Sequence, residues 1–262
     1  MASMNNAISN AKRIPMLLTN YLSAKKEGVK EGFDIKQVNE EDCEHYYILF
    51  KPKSGIYRDQ YQILDMKTQY GNDRIKYQYP IGAPNIKFIT EVYHTNISPN
   101  GSICLNILKE VNEWMPTYDF TQIICNIMLL YMQPNNNSPF NSMASKDYVE
   151  CEKKFNKNKY RRMSLQDEEI LFEECFASFK NTADRIASKN DISKYARWFP
   201  QINAKNQIDL LNAYKKRDDE ILQLEELLST FHKKKNKTDK DKGMNKDNGM
   251  NNDKDNGMNN DK

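Results

Sequence analysis

The hydrophobic period of this chain changes twice, and the order of the changes limits the folds open to it. Apolar residues first recur at helical spacing, at Ile14, Leu17, Leu18, Tyr21 and Leu22, in a segment closed by Gly28 and Gly32. Pro15 interrupts that stretch, which predicts a kink there or a helix starting near it. From Phe33 the period falls to two. Phe33–Lys36, Tyr46–Phe50, Tyr61–Leu64 and Ile86–Ile89 read as short strands, with Pro52–Gly55 and Tyr70–Asp73 as turns. Short strands in succession with short links predict a four-stranded antiparallel meander. Thr121 to Met132 is then apolar almost throughout and reads as a buried helix, ended by Pro134 and the asparagines 135–137. A helix, a meander and further helices together make the class α+β.

Between Thr90 and Asn112 there is little periodicity, yet the segment carries His94, Asn96, Asn100, Gly101 and Cys104. Long ordered loops inside compact domains are usually functional, so candidate chemistry is sought there first. Beyond Asn141 the chain reads as helical. Ser164 to Asp167 has the form of a helix N-terminal cap, followed by a stripe at Phe172, Phe176, Phe179, Ala183 and Ile186. A last periodic segment places Leu210, Tyr214, Ile221, Leu224, Leu228 and Phe231 on one seam, with Arg217 as its polar interruption. Three heptads are too few for a coiled coil, so this segment reads as an amphipathic helix packed on its own domain.

Charge separates the end of the chain from the rest. The net charge of +3 comes wholly from the last 31 residues, which hold nine lysines and six aspartates. The preceding residues carry 30 basic and 30 acidic side chains, which gives no sign of a nucleic-acid-binding face. Asp247–Lys254 is repeated letter for letter as Asp255–Lys262. A Gly-, Asn-, Asp- and Lys-rich repeat buries too little apolar surface to offset chain ordering, so disorder is expected. Its passing likeness to a calcium loop fails for want of a ligand position and the closing Glu. Lys233–Lys235 reads as a solvated helix end rather than a nuclear signal.

No apolar run approaches membrane-spanning length, and the polar start of the chain argues against secretion. Five irregularly spaced cysteines without a C-x-x-C pair argue against a disulfide framework and against a zinc site. A reducing intracellular compartment, cytoplasmic or nuclear, is the expected setting.

The segment from Tyr79 to Phe140 is the most informative. It holds YPIGAPNIKF from Tyr79, YHTNISPNGSICLNIL from Tyr93, WMP from Trp114 and QPNNNSPF from Gln133. In this order and spacing they resemble the ubiquitin-conjugating enzymes. That family shows Tyr-Pro, then His-Pro-Asn, then Gly-x-x-Cys-Leu with the Cys ten residues after the His, then Trp-Ser-Pro. Here His94 and Cys104 keep that spacing.

The resemblance implies a conjugating domain over residues 10–160, a helical extension over 161–232 and a low-complexity tail over 233–262. It implies that Cys104 accepts ubiquitin, or a ubiquitin-like protein, as a thioester from an activating enzyme and passes it to a substrate lysine or a ligase. A thiolate is both a good nucleophile and a good leaving group, which suits that role. Asn96 would stabilise an oxyanion or hold the loop, and His94 would brace it. Asn106 and Ser138 fall at further active-site positions, each where an acidic residue is common. Ile81, Pro116 and Thr117 fall at ligase-facing positions. Neither metal nor nucleotide is implied in this chain, because the activating enzyme consumes the ATP. The other departures are Thr95 for the Pro after the His, and about two extra residues placed within Lys109–Glu113. Asp147 and Glu113 are candidate replacements for the missing carboxylate. The competing reading is a non-catalytic, ubiquitin-binding or scaffolding variant of the same fold.

Overall fold

A computed structural model of the chain describes residues 10–69, 78–108 and 113–247. The turn expected at Tyr70–Asp73, most of the extra residues at 109–113 and the repeat from residue 248 onward fall outside the described residues.

The first helix, α1, runs Asn10–Glu31, so it begins ahead of Pro15 and continues through it. Pro15 lies inside the helix, in its second turn, where it has no N–H to donate. Gly32 ends the helix in the left-handed region at φ +86°, and its N–H donates to Gly28 O at 2.9 Å.

The meander follows as β1 (Phe33–Gln37), β2 (His45–Phe50), β3 (Gln62–Lys67) and β4 (Asn85–Phe88), antiparallel and in chain order. Its register sets Ile35 opposite Ile48, Ile48 opposite Leu64 and Leu64 opposite Phe88. This apolar row and its neighbours Tyr46, Met66 and Ile86 face one side and are buried. They pack with Leu17 and Tyr21 of α1 and with helix α2 (Phe120–Met132). Helix α2 presents Phe120, Ile123, Ile124, Ile127 and Tyr131 to that core, and Asp119 and Gln122 close its start as a reciprocal capping box.

Helices α3 (Ser142–Asn158) and α4 (Leu165–Ala187) pack against each other. Ser164 caps α4 by accepting the Asp167 N–H. Phe176, Phe179 and Ala183 of α4 lie in the same core as the sheet, with the Phe179 ring 5.1 Å from that of Tyr93. The division expected near residue 160 therefore falls in a link between two helices that share one core.

The other face of the sheet is also covered. Two short 3-10 turns, Ser193–Tyr195 and Pro200–Asn203, lay Tyr195, Trp198, Phe199 and Ile202 over Tyr47, Leu49, Ile63 and Ile89. Each fully buried side chain of this kind is worth roughly 1.5–3 kcal/mol in transfer free energy.

Helix α5 (Gln207–Asp247) then runs along α1. Its helix continues into the Lys- and Asn-rich segment where composition predicts disorder. A helix already nucleated by packing extends at little cost per residue. Glu220 of α5 bonds Lys36 and stands 2.9 Å from the Lys25 ammonium, which is itself 3.7 Å from Asp34. Burial alone would push the Glu220 carboxyl up, but the two ammoniums outweigh it and hold it below the usual carboxylate range. The Lys36 amine is pushed down, by burial first and then by Lys25 beside it.

Two outcomes follow for stability. Glu220→Gln leaves two buried ammoniums without their shared carboxylate and should cost about 2 kcal/mol at neutral pH, between the values for exposed and fully buried pairs. A carboxylate with a lowered folded pKa stabilises above its unfolded value of about 4.3, and that stability is lost as pH falls through the folded one. Urea unfolding across pH should thus show wild type and variant converging below about pH 4. The second outcome concerns Gly101, at φ +83°, where a Cβ would stand 2.0 Å from Phe88 O. Gly101→Ala should lower stability by about 2 kcal/mol or more. A loss in urea unfolding well under 1 kcal/mol would show that this contact relaxes freely.

Candidate active site

The segment between β4 and α2 is irregular, and hydrogen bonds to its backbone hold it in place, although the Thr95 hydroxyl is buried without a partner. Its first turn is pinned to the sheet, where Phe88 N–H donates to Gly101 O at 2.9 Å. Isolated bridges join Lys87 to Ser102 and Ile97 to Ile103. Ser98 Oγ accepts the Ser102 N–H at 3.0 Å and so closes the Asn100–Gly101 turn. Cys104 follows directly, and its N–H donates to Asn96 O at 2.8 Å.

Asn96 is 1% exposed and acts as a side-chain copy of a peptide group. Its Oδ1 accepts the Asn135 N–H at 2.8 Å, and its Nδ2 donates to Asn135 O at 2.6 Å and to Ser138 O at 3.3 Å. Both amide hydrogens are therefore engaged in holding residues 135–138 against the loop. That places Ser138 Oγ 3.6 Å from Cys104 Sγ, which donates to it. Thr95 fills the position where proline was the family expectation. Its carbonyl accepts the N–H groups of Phe140 and Asn141, at 2.8 and 3.0 Å, so backbone bonds anchor the loop where a ring would have stiffened it.

His94 is wholly buried and is used at both nitrogens. Nδ1 accepts the Asn96 N–H at 2.9 Å, and Nε2 lies 3.2 Å from Tyr131 O, which fixes the proton on Nε2. Its ring stacks on Tyr131 at 5.4 Å and an interplanar angle of 9°. Burial pushes the imidazole down to about 4. A neutral ring with both nitrogens occupied is no base for the thiol.

The remaining candidates fall into two groups. Asn106 opens a 3-10 turn, and its Nδ2 donates to Glu113 Oε1 at 3.1 Å. Asp147 accepts the Tyr93 hydroxyl at 2.7 Å. Elsewhere, Trp114 Nε1 donates to Pro80 O at 2.8 Å and ties the loop of Ile81 to that of Pro116 and Thr117. Ile81 is half-buried there, and Pro116 and Thr117 are exposed.

The structure thus gathers Cys104, Asn96, His94 and Ser138 into one cluster, and Ile81, Pro116 and Thr117 onto a second pair of loops. Sequence reasoning missed Asn135 and Tyr131, whose backbone groups complete the cluster. The asparagine run after Pro134 was the available signal for the first; nothing marked the second. Chemically, the cluster presents a thiol on a fixed backbone, beside a hydroxyl and without an imidazole partner. Such a thiol suits exchange with an acyl donor that is already activated.

Residues 18–163 match the family model described as ubiquitin-conjugating enzyme. Over 115 residues the chain is 44% identical to ubiquitin-conjugating enzyme E2 1 of Caenorhabditis elegans, covering 44% of this chain and 54% of that protein. The chain thus spans about half the length of that relative. Over 132 residues it is 32% identical to the NEDD8-conjugating enzyme UBC12 of Kluyveromyces lactis, covering 47% of this chain and 67% of that one. A solved Toxoplasma gondii ubiquitin conjugating enzyme E2 domain aligns with a TM-score of 0.47 at 20% identity, over 66% of this chain and 95% of that chain. The family match spans more than half of the chain and encloses the whole Cys104 cluster: the chain belongs to the ubiquitin-conjugating enzyme family.

Proposed function

We propose that this chain takes ubiquitin, or a ubiquitin-like protein, from an activating enzyme as a thioester on Cys104 and passes it to a lysine or to a ligase cysteine. The observation that carries this reading is the seating of Cys104. Its N–H is fixed on Asn96 O, and its thiol meets Ser138 in a segment that the Asn96 amide holds in place.

In charging, the Cys104 thiolate attacks the carbonyl of the incoming thioester, and the activating enzyme's thiolate leaves. One thioester replaces another, so no strong base is required. In discharge, an amine attacks the carbonyl, Cys104 leaves as thiolate, and the amine's proton must pass to a base. Lysine has an unperturbed pKa of about 10.4, so this second step is the demanding one. Ser138 supplies no charge to it. Asp147 is engaged by Tyr93, and Glu113 by Asn106. Of the Asn96 bonds, the one to Ser138 O is the longer, and that hydrogen is the one best placed to turn toward a developing oxyanion. His94 acts as a brace. The exposed loop pair bearing Ile81, Pro116 and Thr117 is the proposed ligase contact. The two relatives are named for different modifiers, so modifier choice is part of the test.

Charging with activating enzyme and ATP should give a reductant-labile adduct on wild type, none on Cys104→Ala, and a slower, reductant-resistant oxyester on Cys104→Ser. Running it with ubiquitin and with NEDD8, each with its own activating enzyme, identifies the modifier. Absence of any adduct would leave the non-catalytic reading of the fold.

Asn96→Ala should slow discharge to free lysine by on the order of a hundredfold or more while charging falls much less. His94→Gln should leave the pH profile of discharge without any change near pH 6.5, because the native imidazole is already neutral there. The same imidazole should appear in stability. Its folded pKa lies below its unfolded value of about 6.5, so wild type loses stability as pH falls through that value toward 4, and His94→Gln should flatten the loss in thermal unfolding.

A further inference from the structure

A cavity of about 490 Å³ opens where α5 crosses the end of α1 and the strands β1 and β2. Its walls are apolar at Phe33, Leu49, Leu210 and Tyr214 and also carry the carboxylates of Asp34 and Asp59. Its volume lies within the range of small-molecule sites. Arg217 of α5 reaches into this space.

Arg217 is only 9% exposed, and its Nε is buried without a hydrogen-bond partner. Among the described residues no carboxylate lies within ion-pair distance of it, and its contact is with the Tyr214 ring, 4.8 Å from the guanidinium carbon. The nearby acids are all engaged. Glu220 holds Lys25 and Lys36, Asp34 accepts Gln201 Nε2 at 3.0 Å and faces Lys25, and Asp59 stands 3.3 Å from Lys51. A guanidinium does not shed its proton in a protein, so burial cannot neutralise it. Lys53, exposed at the same cavity, adds a second positive group at the mouth. Among the described residues this cation has no counter-ion in contact, its Nε is buried without a partner, and the space it faces is large enough to hold one.

We propose that this cavity binds a small amphiphilic oxyanion, a carboxylate or phosphate monoester on an aromatic or short aliphatic body. The oxyanion lies on Arg217 with Lys53 at the mouth, and the body lies among Tyr61, Leu210 and Tyr214. Arg suits such a group because its fork of donors matches two oxygens at once. Since the walls come from α1, the sheet and α5, the ligand also ties the C-terminal helix to the sheet.

The test uses the full chain in a buffer free of phosphate and carboxylates, titrated by calorimetry with phenyl phosphate, phenylacetate and benzyl alcohol. At least one of the two anions should bind saturably, and the uncharged alcohol should not. The better anion identifies the headgroup. Arg217→Met should weaken that binding by on the order of tenfold or more, while its unliganded melting temperature matches or exceeds that of wild type. Should that variant fail to fold, Leu210→Trp, which fills the apolar end and leaves Arg217 in place, should abolish binding instead. Failure of both anions to saturate by about 10 mM, or equal binding to the variant that folds, overturns the proposal.

Discussion

Irregular backbone cannot be buried unless each of its N–H and C=O groups finds a partner. The segment between β4 and α2 is such a backbone, and the position of Cys104 is set by how that demand is met. Asn96 and His94 behave as surrogate peptide groups. The Asn96 amide pairs with Asn135 in both directions, and the His94 ring accepts at one nitrogen and faces a carbonyl with the other. A protonated imidazole could not accept the Asn96 N–H, so the neutrality of His94 and the shape of the loop are one condition. The same device recurs where the extension meets the domain. Asn190 accepts the Glu91 N–H at 2.8 Å and donates to Glu91 O at 2.9 Å, in the manner of a strand neighbour.

The extension completes the sheet. A meander with helices on one face would present the other face to water, and its strands would then alternate apolar and polar residues. Here Tyr47, Leu49 and Ile63 lie beneath Tyr195, Trp198 and Phe199, with the Tyr47 ring 4.8 Å from that of Trp198. This burial on both faces explains why the segment from Tyr46 to Phe50 is apolar at every position. It also makes the segment after α4 part of the domain's packing. The second layer ends in α5, which buries Leu228, packs Leu224 on the main core and pairs its acids with lysines of α1 and β1.

Much of the scaffold was legible in the sequence. Three of the four strands lie within one residue of their expected bounds, because alternation and turn residues are local signals, while β3 runs three residues past Leu64 to Lys67. The buried helix from Thr121 gained only Phe120, brought in by a cap between Asp119 and Gln122. What escaped was long-range and polar. Nothing local marks Arg13 as buried against Glu44, or Lys25 as wholly enclosed. Arg217 read as the flaw in an apolar seam, yet it is more buried than Tyr214 or Phe231 on the same seam, because a long side chain can follow its aliphatic stem inward. In the candidate site, spacing picked out Cys104, Asn96 and His94, and the fold brings them side by side. The pairing of Asn96 with Asn135, 39 residues away, depends on the fold that brings them together.

On the proposed reading, the departures around Cys104 act in one direction. A hydroxyl stands beside Sγ, and Asp147 and Glu113, the candidate replacements for the missing carboxylate, are bonded to other side chains. The group in contact with Sγ is thus an uncharged hydroxyl. The same neutrality offers an incoming lysine no local base, and desolvation alone can lower the pKa of an amine only if it is driven into the site. On the same reading, the base or the contact that buries the lysine would come from a partner docked on the loops of Ile81, Pro116 and Thr117, or from the substrate itself. A thiol ligase needs less help, since a cysteine gives up its proton at about pH 8.5, roughly two units below a lysine. On the proposed reading, transfer to a ligase cysteine would need less help around Cys104 than transfer to a lysine.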